Sequence, residues 1–180
     1  MLVILDRDGV INAYEEGQYV CSLAEWQPIP GSIEAIARLS RAGYRVAVAT
    51  NQSGIARGYF SRAMVDGIHE HLQGLVQEQG GRIDYFAVCP HHPDEQCSCR
   101  KPETGLLREI QQHFGLSSLS GSWMLGDSRS DLEAALAASV KPVLVATGGG
   151  QATRASLDSE PLEGVELTDN LASFVETLLG

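Results

Sequence analysis

Four short stretches of this sequence carry residues able to do chemistry on a phosphate. The first is Asp6-Arg7-Asp8-Gly9, directly after the apolar run Leu2–Leu5. In an extended chain, residues i and i+2 project to the same side, so Asp6 and Asp8 enter one cleft. Two carboxylates that close repel, and a proton or a cation must relieve them. A hard, oxygen-ligated cation such as magnesium suits the pair. The second stretch is Thr50-Asn51-Gln52-Ser53-Gly54, which follows another apolar run. Hydroxyls, amides and backbone N–H groups beside a glycine suit phosphate oxygens. The third is Arg100-Lys101-Pro102, where proline restricts the lysine backbone to extended conformations. An ammonium fixed in this way can neutralise both a phosphate and an attacking carboxylate. The fourth is Gly126-Asp127-Ser128-Arg129-Ser130-Asp131. Asp127 follows an apolar run and can reach a metal, and Asp131 lies four residues on, near a helix start and on the same side.

Taken singly, each stretch is also what a polar turn, a surface cation pair or an acid at a helix N-terminus looks like. Their combination points to one site. A further cluster suggests a second metal. Cys89, His91, Cys97 and Cys99 give C-x-H followed by C-x-C, the ligand set of a closed tetrahedral zinc site. His92 stands beside His91 and could take its place. A closed site leaves no position for substrate, so its expected role is structural. Cys99 immediately precedes Arg100 and Lys101, so clamping it would fix the path of the lysine. Cys21 lies far away in sequence and reads as a small buried apolar residue.

These groups need a frame that gathers them. Candidate strands are Leu2–Leu5, Arg45–Thr50, Ile83–Val88, Trp123–Leu125 and Pro142–Ala146. Each is short and apolar, as strands covered on both faces are. Helical periodicity marks Ser32–Ala42, a helix capped by Ser61, Gly105–Phe114, Ser130–Ala138 and Asn170–Leu179. The alternation predicts an α/β fold, a Rossmann-like open parallel sheet flanked by helices. Such sheets collect ligands at the carboxyl ends of their strands, and three of the four phosphate stretches directly follow candidate strands. The Gly/Ser-rich segment 148–164 reads as a surface loop.

The whole chain sets the outer limits. Its 180 residues suit one domain over 1–180, with a core that needs no staples. A formal charge of −10 argues against nucleic acid or an anionic membrane as partner. No targeting or membrane-spanning stretch is visible, so the expected location is cytoplasmic, where four cysteines favour metal over disulfides. No dimerisation signature is visible, and a monomer is the expectation.

The four stretches resemble the signatures of the haloacid dehalogenase superfamily of phosphatases, from Leu2 to about Ala146. Within it, Thr50–Gly58, Cys-Pro-His-His-Pro and Cys-x-Cys-Arg-Lys-Pro resemble the group acting on the 7-phosphate of D-glycero-D-manno-heptose 1,7-bisphosphate, and its relative, the histidinol-phosphate phosphatase domain. The resemblance implies that Asp6 is the nucleophile and that Asp8 is first general acid and then general base. It implies magnesium on Asp6, the Asp8 backbone carbonyl and Asp127. Thr50 and Lys101 would hold the phosphoryl oxygens, with Asp131 supporting. His91 is the imidazole it points to for zinc. Tyr14 to Tyr19, with Glu15 among them, Asn51, Gln52, Ser53, Arg57 and Arg100 are the expected substrate contacts. A small phosphorylated sugar is the expected substrate, in the biosynthesis of nucleotide-activated heptose for lipopolysaccharide core. The spacing of the motifs leaves no room for a large cap domain. Histidinol phosphate is the alternative substrate, for which Glu15 and Glu16 could meet an amine. A zinc-stabilised scaffold without catalysis is the alternative from another class.

Overall fold

The computed structural model describes all residues from Met1 to Gly180. Leu2–Leu5 form strand β1, and all of them are buried, as expected of an uninterrupted apolar run in the middle of a sheet. The other strands are β2 (Arg45–Asn51), β3 (Tyr85–Cys89), β4 (Trp123–Gly126), β5 (Lys141–Val145) and β6 (Glu166–Thr168). All pairings are parallel, in the order β3-β2-β1-β4-β5-β6. The helices are α1 (Ser32–Arg41), α2 (Arg62–Glu78), α3 (Gly105–His113), α4 (Arg129–Ala137), α5 (Gly150–Ser159) and α6 (Leu171–Leu179).

The period-two alternation of the strands divides the core between the two faces of the sheet. Val3, Leu5, Val46 and Val48 pack with Ile36 and Leu39 of α1, Ile68 and Leu72 of α2 and Phe174 of α6. Leu2, Ile4, Ala47 and Ala49 pack with Leu106, Leu107 and Ile110 of α3 and Ala134 and Ala135 of α4. Local signals set the helix ends. Ser61 Oγ accepts from Met64 N at 3.1 Å and caps α2, whose Val65, Ile68, Leu72 and Val76 recur at helical spacing on its buried side. Gly43, at φ 87°, takes the left-handed conformation that stops α1.

The strand order reverses beside β1. The chain moves outward through β2 and β3, then returns to the other side of β1 as β4. A crevice therefore opens between the carboxyl ends of β1 and β4. Asp6 N donates to Leu125 O at 2.9 Å and ties those two ends together. Nothing large covers the crevice. Between Asp8 and α1, the stretches 11–13 and 27–29 pair through Ala13 N to Gln27 O at 2.8 Å and Ile29 N to Ile11 O at 2.9 Å. The chain between them is loop with one 3-10 turn at Leu23–Glu25.

The expected strands are present, shifted by at most two residues at either end. The segment 148–164, expected as a loop, instead holds α5, and β6 follows it. Both lack the pattern that reveals an element in a sequence. Gly150 is the single buried residue of α5, so no apolar stripe marks it, and Glu166 and Leu167 of the edge strand are exposed. Cys21 is half-buried rather than buried, with its thiol directed at Tyr19 O. No helix is long and apolar enough to cross a membrane.

Leu72 is fully enclosed on the α2 side of the sheet, away from the crevice. Leu72→Ala should lower unfolding free energy by about 2–5 kcal/mol in denaturant titrations, through lost burial and a residual cavity.

Candidate active site

The crevice is a polar cleft of about 240 Å³. It is lined by Asp6, Asp8, Asn51, Gln52, Ser53, Arg100, Lys101, Asp127 and Asp131, with Tyr14 and Gly17–Val20 forming its outer wall. Each of the four predicted stretches therefore reaches it: three follow β1, β2 and β4 at the carboxyl edge of the sheet, and Arg100–Pro102 is brought there by the loop after β3. A larger groove of about 660 Å³ between α5 and β6 contains none of these residues. Convergent chemistry marks the site here, and size does not.

Lys101 sits at the centre. Its ammonium contacts Asp6 Oδ1 at 3.0 Å, Asp131 Oδ1 at 2.6 Å and Ala49 O at 2.7 Å, and the residue is buried. An ammonium has three protons, so all are engaged. Its backbone is held as well. Asn51 Oδ1 accepts from Lys101 N at 3.1 Å, and Asn51 Nδ2 donates to Lys101 O at 3.2 Å. Burial opposes the charge on Lys101, but Asp131 and Asp6 outweigh it and raise its pKa above the ordinary lysine value.

The carboxylates outnumber their partners. Asp6, Asp8, Asp127 and Asp131 are matched by Lys101 and Arg7, which leaves two negative charges unbalanced. Burial and then Asp131 push Asp6 well above the usual carboxylate range, although Lys101 pulls the other way. Burial and Asp131 push Asp127 up to about 7, against the Gly149 N–H that donates to its Oδ2 at 2.8 Å. Carboxylate oxygens of Asp6, Asp127 and Asp131 lie within 4.8 Å of one another. An excess of two negative charges on clustered oxygens fits a hard divalent cation.

Asp8 is treated differently. Arg7 Nε and Nη2 donate to its Oδ1 at 3.1 and 3.0 Å, Asn12 Nδ2 donates to the same oxygen at 3.0 Å, and Gln52 Nε2 donates to Oδ2 at 2.9 Å. Burial opposes ionisation, but Arg7 and these hydrogen bonds hold Asp8 below its ordinary value. Sequence reasoning gave no role to Arg7 or Asn12. Arg7 lies between the two aspartates, and its guanidinium doubles back onto its neighbour Asp8. Arg7 is fully buried, and its Nη1 lies 3.4 Å from His69 Nε2 on α2. Burial and Arg7 depress His69 to about 3, so it stays neutral and can accept from the guanidinium.

Other expected contacts have particular placements. Gln52 spends its amide on Asp8 and on Thr50 Oγ1, the latter at 2.8 Å. Thr50 itself lies fully buried under the cleft floor, with its hydroxyl proton free to donate. Tyr19 Oη is 3.4 Å from Ser53 Oγ, which joins the outer wall to the second stretch. Glu15 and Arg57 do not line the cleft. Glu15 is exposed and accepts from Gln18 at 2.9 Å. Arg57 is exposed because the chain after Ser53 turns outward, with Arg57 N donating to Ser53 O at 3.0 Å and Tyr59 N to Gly54 O at 2.9 Å.

The cysteine cluster is assembled beside the site. Cys89 ends β3 inside the core, while His91, Cys97 and Cys99 fold back over it. Cys97 Sγ is 3.7 Å from both Cys89 Sγ and Cys99 Sγ, and His91 Nδ1 is 3.6 Å from Cys89 Sγ and 3.1 Å from Cys99 Sγ. Tetrahedral thiolates at ~2.3 Å from zinc sit roughly 3.8 Å apart, so the ligand atoms have the size of such a site. Cys89 and Cys99 approach more closely, at 2.9 Å, and all cysteines are free. Arg100 N donates to Cys97 Sγ at 3.4 Å, which stabilises a thiolate there and fastens the cluster to the residue before Lys101. His92 takes no part in the cluster. It caps the 3-10 turn Pro93–Glu95 by accepting from Asp94 N at 3.1 Å.

Comparison with known proteins agrees with this geometry. A family model described as polynucleotide kinase 3 phosphatase matches residues 2–131, and a HAD-hydrolase-like model matches residues 98–174. A D-glycero-β-D-manno-heptose-1,7-bisphosphate 7-phosphatase of Pseudomonas putida is 52% identical over 99% of both chains. The protein of the same description from Pseudomonas aeruginosa is 54% identical over 99% of this chain and 97% of its own. Among solved structures, a D,D-heptose 1,7-bisphosphate phosphatase from B. bronchiseptica, complexed with magnesium and phosphate, superposes with a TM-score of 0.93. It is 43% identical and covers 99% of this chain and 97% of its own. The chain therefore belongs to the haloacid dehalogenase-like phosphatase family, in the same branch as these heptose bisphosphate phosphatases.

Proposed function

We propose that this protein is a cytoplasmic, monomeric phosphatase that removes the 7-phosphate of D-glycero-β-D-manno-heptose 1,7-bisphosphate. The observation that carries this reading is the buried Asp6–Lys101–Asp131 triad at the cleft floor, in a chain about half identical to phosphatases of that name. The β anomer follows the same relatives. The route it serves is the supply of activated heptose for lipopolysaccharide core.

Asp6 attacks phosphorus, forming an O–P bond as the bond to the sugar O7 breaks. Asp8 takes up a proton as the substrate phosphate adds negative charge to the cleft, and gives it to O7, so the sugar leaves as an alcohol. Asp8 then takes a proton from water, which attacks the aspartyl phosphate and releases inorganic phosphate with Asp6 restored. The two carboxylates have different environments. Asp8 is fixed by Arg7, Asn12 and Gln52, away from Lys101, and Asp6 faces the ammonium. Magnesium held by Asp6, Asp127 and the Asp8 carbonyl would supply positive charge for the phosphoryl oxygens. As the charge of Asp6 passes into its new bond to phosphorus, Lys101 is released to pair with those oxygens, and Thr50 donates its free hydroxyl proton. Arg100 on the cleft wall suits the second phosphate. The cluster of Cys89, His91, Cys97 and Cys99 takes structural zinc. Histidinol phosphate fits less well, because Glu15, an acid that could meet its amine, stands outside the cleft. A nucleic-acid 3′-phosphatase conflicts with the charge of −10.

Asp6→Asn should abolish phosphate release from the heptose bisphosphate while the protein stays folded, with a melting temperature no lower than the wild type. Turnover in that variant, or faster wild-type turnover of histidinol phosphate, would sink the assignment. Magnesium affinity should depend on pH. Asp127, pushed up to about 7, and Asp6, also held well above the carboxylate range, bind protons that the cation must displace. Titration calorimetry should find affinity rising with pH through the neutral range, by up to about tenfold per unit for each ligand carboxylate that loses its proton. Elemental analysis of protein purified without chelator should give about one zinc per chain. Zinc-free protein with normal folding and activity would end the structural role.

A further inference from the structure

The segment after β5, whose sequence reveals no function, closes directly on Asp127. Gly149 N donates to Asp127 Oδ2 at 2.8 Å, and Thr153 Oγ1, from the first turn of α5, donates to Asp127 O at 2.7 Å. Two residues before Gly149, Thr147 Oγ1 donates to Gly9 O at 2.6 Å. Thus the loop after β5 is tied at once to the turn of the first motif and to the aspartate of the fourth. The fit admits no side chains. A Cβ on Gly148, which has φ 58°, would overlap Asp127 Oδ2 and come within 2.5 Å of Gly9 Cα. A Cβ on Gly9 would overlap the same oxygen. One oxygen of Asp127 is therefore packed against two glycines and bonded to a backbone N–H. Its other oxygen is left for a cation, and neither the carboxylate nor its backbone carbonyl is free to turn.

We propose that Thr147, Gly148, Gly149 and Thr153 form a clamp that positions Asp127 for magnesium, so that this loop sets the affinity of the site for the cation without touching substrate. The inference rests on the magnesium role of Asp127 given above. Partners that orient a metal ligand commonly change affinity by 10- to 100-fold when lost. They do so because a free carboxylate must be ordered at the moment of binding. Hydrogen bonds from α5 fix Asp127 in advance. The clamp also accounts for α5 lying where it has almost no apolar contact: its first turn is held by Thr153 and by the close fit at Gly148 and Gly150, whose Cβ would overlap Val145 O.

The test is titration calorimetry of the whole protein with magnesium chloride, with melting in chelator and steady-state kinetics alongside. Thr153→Val keeps the shape and removes the hydroxyl, and Thr153→Ser keeps the hydroxyl. We expect Thr153→Val to weaken magnesium binding by roughly tenfold, Thr153→Ser to bind as wild type, and Gly148→Ala to lose tenfold or more. The activation constant for magnesium should rise with the dissociation constant, while kcat at saturating magnesium stays near wild type for Thr153→Val. Unchanged affinity in Thr153→Val would overturn the clamp even if its melting temperature falls. Equal losses in Thr153→Val and Thr153→Ser would overturn it as well. Wild-type protein that binds no magnesium would instead remove the underlying reading of Asp127.

Discussion

One ammonium holds the cleft together. Lys101 Nζ is shared by Asp6, Asp131 and the Ala49 carbonyl, all away from water. Burying two carboxylates beside each other is costly, and it is tolerated only where a well-placed cation and full hydrogen bonding compensate. Without Lys101 the floor of the site would be an uncompensated pocket of negative charge. This explains how many features converge on one backbone position. The Asn51 side chain grips Lys101 by both N–H and carbonyl, and the cysteine cluster reaches it through Arg100 N.

The second constraint is that Asp6 and Asp8, two residues apart, must behave differently. The structure separates them by assigning each its own cation. Asp6 takes Lys101, and Asp8 takes Arg7 with Asn12 and Gln52. Arg7 is in turn kept in place by a neutral His69 from α2. Two identical side chains acquire two chemical characters from their surroundings. The remaining excess of negative charge is what makes a divalent cation part of the design.

The parallel sheet makes this possible at small cost in chain length. Its strand order reverses beside β1, so β1, β2 and β4 all deliver their carboxyl ends to one crevice. No domain covers that crevice, and selectivity falls to the wall formed by Tyr14, Gly17–Val20 and Arg100. The match to heptose bisphosphate phosphatases over the whole chain is consistent with such an open, polar cleft.

The sequence by itself determined five of the six strands and the list of chemical groups. Buried strands are uninterrupted apolar runs, and a rule about strand ends converts Asp6, Thr50 and Asp127 into neighbours. The four zinc-type ligands are legible for the same reason, because they lie close along the chain. Only the tertiary structure decided what each group is bonded to. Asn51 and Gln52 read as substrate contacts, and the fold also sets their amides on Lys101 and Asp8. Arg57 and Glu15 read as site residues until tight turns carry them outward. Arg7, Asn12 and His69 carried no signal, since their importance comes from partners across a turn or on another helix. The segment 148–164 was opaque because α5 buries almost nothing: it is placed by hydrogen bonds and glycine contacts with Asp127 and Gly9, not by an apolar pattern that a linear reading can detect. Periodicity and short-range spacing are written along the chain. Charge pairing and close approach between distant segments exist only once it has folded.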